Sequence, residues 1–167
     1  MKQVESNIYF IMGVSGCGKS TIGSLLADKL RIPFYDGDDY HSETNVKKMA
    51  SGQPLTDNDR MDWLLRLNEL ARNRLEKGAI IGCSALKESY RRILEANLQE
   101  NVRWIYLSGT FDDIMSRLSQ RKGHFMPAAL LKSQFEILEI PQNAIKVSIN
   151  LPAEQLVKRI LELIESK

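Results

Sequence analysis

The stretch Gly13-Val14-Ser15-Gly16-Cys17-Gly18-Lys19-Ser20 decides the fold class of this chain, because it matches the pattern G-x-x-x-x-G-K-[ST] in full. Glycines let backbone N–H groups curl around phosphate oxygens, and a helix behind such a loop points the positive end of its dipole at the anion. A buried strand is predicted before the stretch, at residues 8–12, and an amphipathic helix after it, at residues 21–30. The stretch therefore predicts a phosphate loop that binds a nucleoside triphosphate.

Two side chains at the end of this phosphate loop have defined chemistry. Lys19 is expected to reach the β- and γ-phosphates, and the Ser20 hydroxyl to ligate Mg²⁺. We predict that the nucleotide contacts come from the loop, the residue after it and two later arginines: Gly13, Val14, Ser15, Gly16, Cys17, Gly18, Lys19, Ser20, Thr21, Arg117 and Arg121.

Short apolar runs alternate with helical patterns along the rest of the chain. Further buried strands are predicted at residues 32–36, 79–83, 102–107 and 145–149. Between the strands, a helix with a capping residue at Thr56 is predicted to end at Gly78, and two further helices are predicted at residues 87–97 and 130–138. Thr110 is predicted to cap another helix, and Pro152 to take the first position of the last one. This alternation predicts an α/β fold with a five-stranded parallel sheet, whose ligands bind at the carboxyl ends of the strands.

Length and composition limit the class of protein further. A chain of 167 residues, of which 43% are hydrophobic and 26% charged, is expected to form one domain spanning residues 1–167. The net charge of +2, without a run of like charges, argues against a nucleic-acid partner, and no apolar run approaches the length that spans a membrane. Two cysteines and a polar amino terminus predict a reduced, cytoplasmic protein.

The phosphate loop alone does not name a reaction, because GTPases, ATP-driven motors and small-molecule kinases share it. No N-K-x-D string for guanine occurs, and the third predicted strand ends in Gly82-Cys83-Ser84 without the Asp-Glu pair expected of a motor. A kinase of small substrates remains.

An acidic loop, Asp36-Gly37-Asp38-Asp39, follows the second predicted strand, which in a doubly wound sheet can lie beside the first. A carboxylate there is suited to deprotonate a substrate hydroxyl and to hold the metal through water. We predict Asp38 as the base, with Asp36 either structural or in contact with the residues that touch the ligands. The alternative is an Asx-type turn with solvated acids.

Cations and hydroxyl groups follow the second and third predicted strands, and they suit an anionic, hydroxyl-rich substrate. Lys48 and Arg60 fall in a helical segment at about residues 40–77, which we predict to bind the substrate, and Lys87 and Arg91 come after the third strand. The alternative for each is a charge on a solvated helix face.

A second cationic segment, at about residues 117–135, contains Arg117, Arg121 and His124 and is interrupted by Gly123 and Pro127. Such a segment suits a lid that closes over the phosphates and neutralises charge in the transition state, with Arg121 as a catalytic residue. The alternative is a basic turn between two helices. Neither histidine has metal-ligand spacing to another His or Cys, so no zinc site is predicted.

With these residues in view, the chain closely resembles the bacterial P-loop gluconokinases over nearly its whole length. The phosphate loop is generic, whereas the other matching strings together are specific to that family. These strings are Asp36-Gly37-Asp38 with His41, Asn45 with Lys48-Met49, Pro54-Leu55-Thr56-Asp57-Asn58-Asp59-Arg60 with Trp63-Leu64, Cys83-Ser84-Ala85-Leu86-Lys87 with Tyr90-Arg91, Gly123-His124-Phe125, and Ser133-Gln134-Phe135-Glu136 with Leu138-Glu139.

The resemblance implies ATP-dependent phosphorylation of D-gluconate at its terminal hydroxyl, giving 6-phospho-D-gluconate. It also implies the P-loop kinase fold with strand order 2-3-1-4-5, a mobile lid and a homodimer. The metal would be held by Ser20 and, through water, Asp38. The residues that the resemblance and the charge pattern together assign to the acceptor are Asp38, His41, Lys48, Arg60, Ser84, Lys87, Arg91 and His124.

Two other functions stay open at this point. A shikimate kinase resembles this chain in its phosphate loop and acid-x-acid loop, but it would be expected to carry a Gly-Gly-Gly run where this chain has Cys83-Ser84-Ala85-Leu86-Lys87. A nucleotide-dependent regulatory module without turnover belongs to a different class altogether. ADP release measured with gluconate, shikimate and water separates the three.

Overall fold

The computed structural model describes residues 7–121 and 127–166. Within this part of the chain, five parallel strands form one sheet in the order β2-β3-β1-β4-β5. The strands are β1 (Ile8–Met12), β2 (Phe34–Asp36), β3 (Ala79–Gly82), β4 (Val102–Ser108) and β5 (Ile145–Ser148). Both the parallel sheet and the strand order implied by the resemblance are confirmed.

Helices cover both faces of the sheet. The α-helices in the described residues are α1 (Lys19–Leu30), α2 (Glu43–Ala50), α3 (Asp57–Asn73), α4 (Glu88–Glu95), α5 (Phe111–Gln120), α6 (Ala128–Ile137) and α7 (Ala153–Glu165). Alternate side chains of β1 enter different cores. Tyr9 and Ile11 pack on the side of α1, α5, α6 and α7, whereas Phe10 and Met12 pack on the side of α3 and α4. The central strands are therefore buried on both faces, as a continuous apolar run predicts.

The edge strands differ from the prediction of five fully buried strands. β2 is half-buried throughout, and β5 alternates buried and exposed positions, because each pairs with a single neighbour at the margin of the sheet. β2 also begins at Phe34 rather than at residue 32. Pro33 has no N–H to donate, although its carbonyl still accepts a hydrogen bond from Ile80 at 2.9 Å.

The two helix starts predicted from capping residues agree with the structure, whereas the predicted end of α3 does not. Thr56 and Thr110 both form complete capping boxes, in which the threonine side chain and an aspartate three residues later bond each other's backbone N–H. However, α3 ends at Asn73 instead of continuing to Gly78, because the chain leaves the helix at Arg74 in a series of tight turns. Pro152 lies one residue before the position predicted for it, with an extended ψ of 146°.

Since all five strands are parallel, their carboxyl ends meet at one edge of the sheet. The loops that follow β1, β2 and β3 open there, and so does the loop between β4 and α5. The sequence analysis allowed β2 to lie beside β1, but the observed strand order places β3 between them. The acidic loop after β2 therefore approaches the phosphate loop from one strand further away.

Candidate active site

The phosphate loop joins β1 to α1 and packs against α5. Gly16 has a φ of +83°, and a Cβ atom there would lie 2.8 Å from Cδ2 of Leu118. Glycine is therefore needed at this position for two reasons, the left-handed backbone conformation and the close approach of α5. The packing holds the loop against the helix that carries Arg117 and that ends directly before Arg121.

Lys19 is the first residue of α1, and its side chain turns back over the loop. Its Nζ donates to the carbonyl oxygens of Gly13 at 3.0 Å and Val14 at 3.1 Å. The ammonium group therefore lies against the first residues of the phosphate loop, and Lys19 lines the cleft beside it. A cation held there by two carbonyls is placed to meet an incoming phosphate.

Ser20 is joined to the acidic loop. Its hydroxyl donates to Oδ2 of Asp36 at 2.8 Å, while Oδ1 of the same carboxylate accepts from the backbone N–H of Asp38 at 3.0 Å. The second bond caps a short 3₁₀ helix at Gly37–Tyr40. Asp36 thus caps the 3₁₀ helix and also offers a carboxylate oxygen at the phosphate loop. The sequence analysis did not name it as a metal ligand.

Asp38 faces the same space as Lys19. Its side chain stays open to solvent at the mouth of the cleft, yet protein surrounds it on its other sides. This partial burial raises the pKa of the carboxyl above its ordinary value, the nearby Lys19 ammonium opposes the rise, and Asp36 and Asp39 add to it. A carboxylate with a raised pKa is a stronger base than an ordinary one.

These groups line one cleft of about 470 Å³ at the carboxyl edge of the sheet. Its lining contains most of the predicted nucleotide-binding residues together with both acids of interest: Ser15, Gly16, Gly18, Lys19, Ser20, Thr21, Asp36, Asp38, Leu118 and Arg121. Arg117 lies beside the loop, since a Cβ atom on Gly18 would be 3.9 Å from its Nη1, and it donates to the carbonyl of Ile149. We name this space the phosphate cleft.

A second cavity of about 210 Å³ lies next to the phosphate cleft, between α2, the start of α3, and α6. Arg60 is the predicted acceptor-binding residue in its lining. The guanidinium is buried, with 8% of the residue exposed, and Nη1 donates to the Tyr90 hydroxyl at 2.7 Å. We name this space the Arg60 cavity.

Two predicted lysines are paired with acids on α3. Lys48 lies 2.6 Å from Oδ2 of Asp59, and Lys87 lies 2.9 Å from Oδ1 of Asp57. The hydrogen bond from Lys48 and the backbone N–H of Thr56 lower the pKa of Asp59 to about 2. These pairs bring α2 and the start of α4 to the first turn of α3. They also neutralise much of the cationic charge that the sequence showed.

His41 stacks on the indole of Trp63, with ring centroids 4.1 Å apart. Burial, followed by the positive charge of Arg60, lowers its pKa to about 4, so the ring is neutral at physiological pH. Its Nδ1 is buried and has no hydrogen-bond partner among the described residues. His41 therefore presents an unsatisfied polar atom next to the acidic loop.

The remaining predicted acceptor residues lie elsewhere. Arg91 donates to the carbonyls of Ala85 at 2.7 Å and Glu139 at 3.0 Å, which ties α4 to the chain after α6, and it lines a separate cavity. The carbonyl of Ser84 accepts from Gly13 N at 3.3 Å, but Ser84 lines neither the phosphate cleft nor the Arg60 cavity. His124 lies outside the described residues, as does the middle of the predicted lid.

One residue of the site was missed by the sequence analysis. Gln134 on α6 bonds both the backbone and the side chain of Ser15, and it also lines the Arg60 cavity. The string Ser133-Gln134-Phe135-Glu136 had been noted only as part of the resemblance. A lone glutamine in an amphipathic helix carries no local signal that it reaches a loop 119 positions away.

Two further observations concern the described residues alone. None of their helices has the length and apolar character needed to cross a membrane. They also contain no cluster of three or more His, Cys, Asp or Glu side chains arranged around a common metal position.

Comparison with known proteins identifies the family. The family model for shikimate kinase matches residues 15–144. The thermoresistant gluconokinase of Escherichia coli (strain K12) is 44% identical over 167 residues, covering 96% of this chain and 95% of the relative. The chain belongs to the gluconokinase family.

Other gluconokinases extend this result. The probable gluconokinase of Mus musculus is 44% identical over 95% of this chain and 97% of its own length, so the similarity is not confined to bacteria. The crystal structure of a gluconokinase from Sinorhizobium meliloti 1021 superposes with a TM-score of 0.88 at 34% identity, covering 98% of this chain and 97% of that one. The protein is therefore a kinase with the P-loop kinase fold, as the sequence predicted.

Proposed function

We propose that this chain transfers the γ-phosphoryl group of ATP to the terminal hydroxyl of D-gluconate, giving ADP and 6-phospho-D-gluconate. The observation that carries the proposal is the shared phosphate cleft, in which Lys19 and Ser20 face the acidic loop. The names of the similar proteins supply the acceptor. The shikimate kinase family match makes shikimate the alternative acceptor.

In this proposal Asp38 takes the proton from the acceptor hydroxyl, whose oxygen then bonds to the γ-phosphorus while the bond to the β–γ bridging oxygen breaks. Lys19 and Arg121 stabilise the negative charge on the transferring group and on ADP, and Arg117 supports the nucleotide beside Gly18. The stabilisation of charge by positioned cations is the largest effect available to such a site, because the phosphoryl group needs little covalent help.

The site also fits Mg²⁺, which neutralises phosphate charge when it is bound. Hard cations of this size prefer oxygen ligands and keep several waters. The Ser20 hydroxyl and the Asp36 carboxylate, which already touch each other, are the direct candidates, and Asp38 remains the candidate through water. Asp36 is thus an addition to the metal residues predicted from the sequence.

Arg60 is the side chain best suited to the carboxylate of the acceptor. Its described hydrogen bond goes to the neutral Tyr90 hydroxyl, whereas Lys48 and Lys87 each contact an acid. The guanidinium fork also binds two carboxylate oxygens at once. His41, Lys48 and Lys87 line neither the phosphate cleft nor the Arg60 cavity. Their contact with the acceptor, like that of Ser84, Arg91 and His124, therefore remains a prediction from the sequence.

A panel of acceptors tests this function. ADP release should be fast with gluconate and close to the water background with shikimate. Arg60→Met should raise KM for gluconate at least tenfold with a smaller change in KM for ATP, while Arg72→Met, on the same helix but away from both cavities, serves as the control. Turnover of shikimate in preference to gluconate would replace the proposed acceptor.

The oligomeric state and the location are also proposals. The resemblance implies a homodimer, and the two cysteines of the chain agree with a reducing compartment. The lid at about residues 117–135 and the acceptor-binding segment at about 40–77 are likewise proposals. Light scattering of the purified chain measures the dimer directly.

A further inference from the structure

Gln134 makes two hydrogen bonds to one residue of the phosphate loop. The backbone N–H of Ser15 donates to its Oε1 at 2.8 Å, and its Nε2 donates to the Ser15 hydroxyl at 2.9 Å. Both ends of the carboxamide are therefore committed to the loop, which fixes the orientation of the side chain as well as its position.

Ser15 is also where the two cavities meet. Among the described residues it is the one that lines both the phosphate cleft and the Arg60 cavity, and Gln134 lines the Arg60 cavity beside it. The contact between Gln134 and Ser15 consequently lies in the wall between the nucleotide side and the proposed acceptor side.

The contact competes with the expected ligand of the loop. Backbone N–H groups in such loops bind phosphate oxygens, and a charged acceptor forms a stronger hydrogen bond than a neutral amide oxygen does. A phosphate that takes the Ser15 N–H releases Oε1 of Gln134. The freed carboxamide carries both an acceptor and a donor, which suits a molecule rich in hydroxyl groups in the adjoining cavity.

We propose that Gln134 is a positioning residue that couples the two cavities through Ser15. Nucleotide binding frees the carboxamide for the acceptor, and a bound acceptor that holds the carboxamide leaves the Ser15 N–H open to phosphate. Linkage requires each ligand to strengthen the other by the same factor. The inference rests on the proposed function, because it takes the Arg60 cavity as the acceptor site.

Calorimetric titration of the full chain tests the coupling. Gluconate is titrated with and without a non-hydrolysable ATP analogue and Mg²⁺, and the ratio of the two Kd values is the coupling factor. The factor should be at least about fivefold in the wild type, the lower end of typical allosteric coupling. Gln134→Met keeps the length of the side chain but removes both hydrogen bonds, so its factor should fall below about twofold. The analogue's own Kd, measured without gluconate, should be equal to or lower than that of the wild type, because Gln134 no longer competes for the Ser15 N–H.

Lys132→Met is the matched control, because Lys132 is an exposed residue of the same helix. It should keep the wild-type factor. Ser15→Ala removes the hydroxyl and leaves the N–H, so an intermediate factor is expected, and this second variant decides the matter if Gln134→Met does not fold. Wild-type coupling near unity, or an unchanged factor in the foldable Gln134 and Ser15 variants, would overturn the inference.

The acceptor panel separates this outcome from a failure of the proposed function. If gluconate is phosphorylated and the coupling factor is the same in Gln134→Met as in the wild type, the proposed function is retained and the proposed role of Gln134 is wrong. If another acceptor is phosphorylated instead, the same titration with that acceptor decides the role of Gln134.

Discussion

The substitution Asp38→Asn separates the chemistry of the site from its stability. Asparagine has nearly the same shape as aspartate but cannot accept a proton at neutral pH. General-base help is typically worth about 10²- to 10⁴-fold, which corresponds to about 3–5 kcal/mol of transition-state stabilisation. We therefore expect kcat to fall by that factor, while the affinity for ATP changes little, because Lys19 and the backbone of the phosphate loop are untouched.

The thermal stability of Asp38→Asn, unlike its kcat, should not fall. The pKa of Asp38 is raised on folding, so the stability that this group contributes below its ordinary pKa of 3.8 is lost as the pH rises through the folded value. At pH 7 the ionised carboxylate is unfavourable, although solvent at the mouth of the cleft reduces the cost. Asp38→Asn should consequently unfold at a Tm equal to or above that of the wild type.

The assay is coupled ADP release with gluconate between pH 5 and 9, together with thermal unfolding. In the wild type, kcat/KM should fall on the acidic side of its pH profile as Asp38, whose pKa is raised, becomes protonated. This fall should be absent in the variant. Asp39→Asn changes the adjacent exposed carboxylate and serves as the control. A kcat within about threefold of the wild type, or a large fall in Tm, would refute the reasoning. If Asp38→Asn keeps its kcat while Asp36→Asn abolishes activity, the two acids are reversed; loss of activity in both variants agrees with the proposal, in which Asp36 holds Mg²⁺.

Three further outcomes are expected. Lys19→Ala should remove nearly all phosphoryl transfer in a chain that folds normally by circular dichroism, because within the described residues the ammonium bonds loop carbonyls and a neighbouring thiol rather than the core. Arg121→Ala should lower kcat/KM more than it lowers nucleotide affinity if the arginine stabilises the transition state, and unaltered kinetics would remove its assignment. His41→Phe should lose less free energy of unfolding than the wild type when the pH of a urea titration is lowered from 7.5 to 5. The neutral His41 ring stabilises the fold above its ordinary pKa of 6.5, and this contribution is lost as the pH falls toward the folded value of about 4. An equal loss in both chains would contradict this.

Local chemistry explains what the sequence predicted well. The phosphate loop, the two capping boxes and the central strands depend on residues that are neighbours along the chain, so their patterns are visible without a partner. Thr56 and Thr110 show this directly, since each is capped by an aspartate three residues later. The strand order and the acceptor came instead from longer strings shared with a known family.

The tertiary structure decided which of the candidate side chains meet. Asp36 reaches Ser20 because the acidic loop after β2 opens at the same sheet edge as the phosphate loop. Arg91 lies away from both cavities because it donates hydrogen bonds to the backbone carbonyls of Ala85 and Glu139. Gln134 joins Ser15 across 119 positions. Such contacts depend on how helices pack against the sheet, and helix packing is fixed by the burial of apolar faces rather than by the polar residue that happens to project from them. A polar side chain in the sequence therefore predicts a capacity for chemistry, whereas its partner is determined only when the apolar layers have come together.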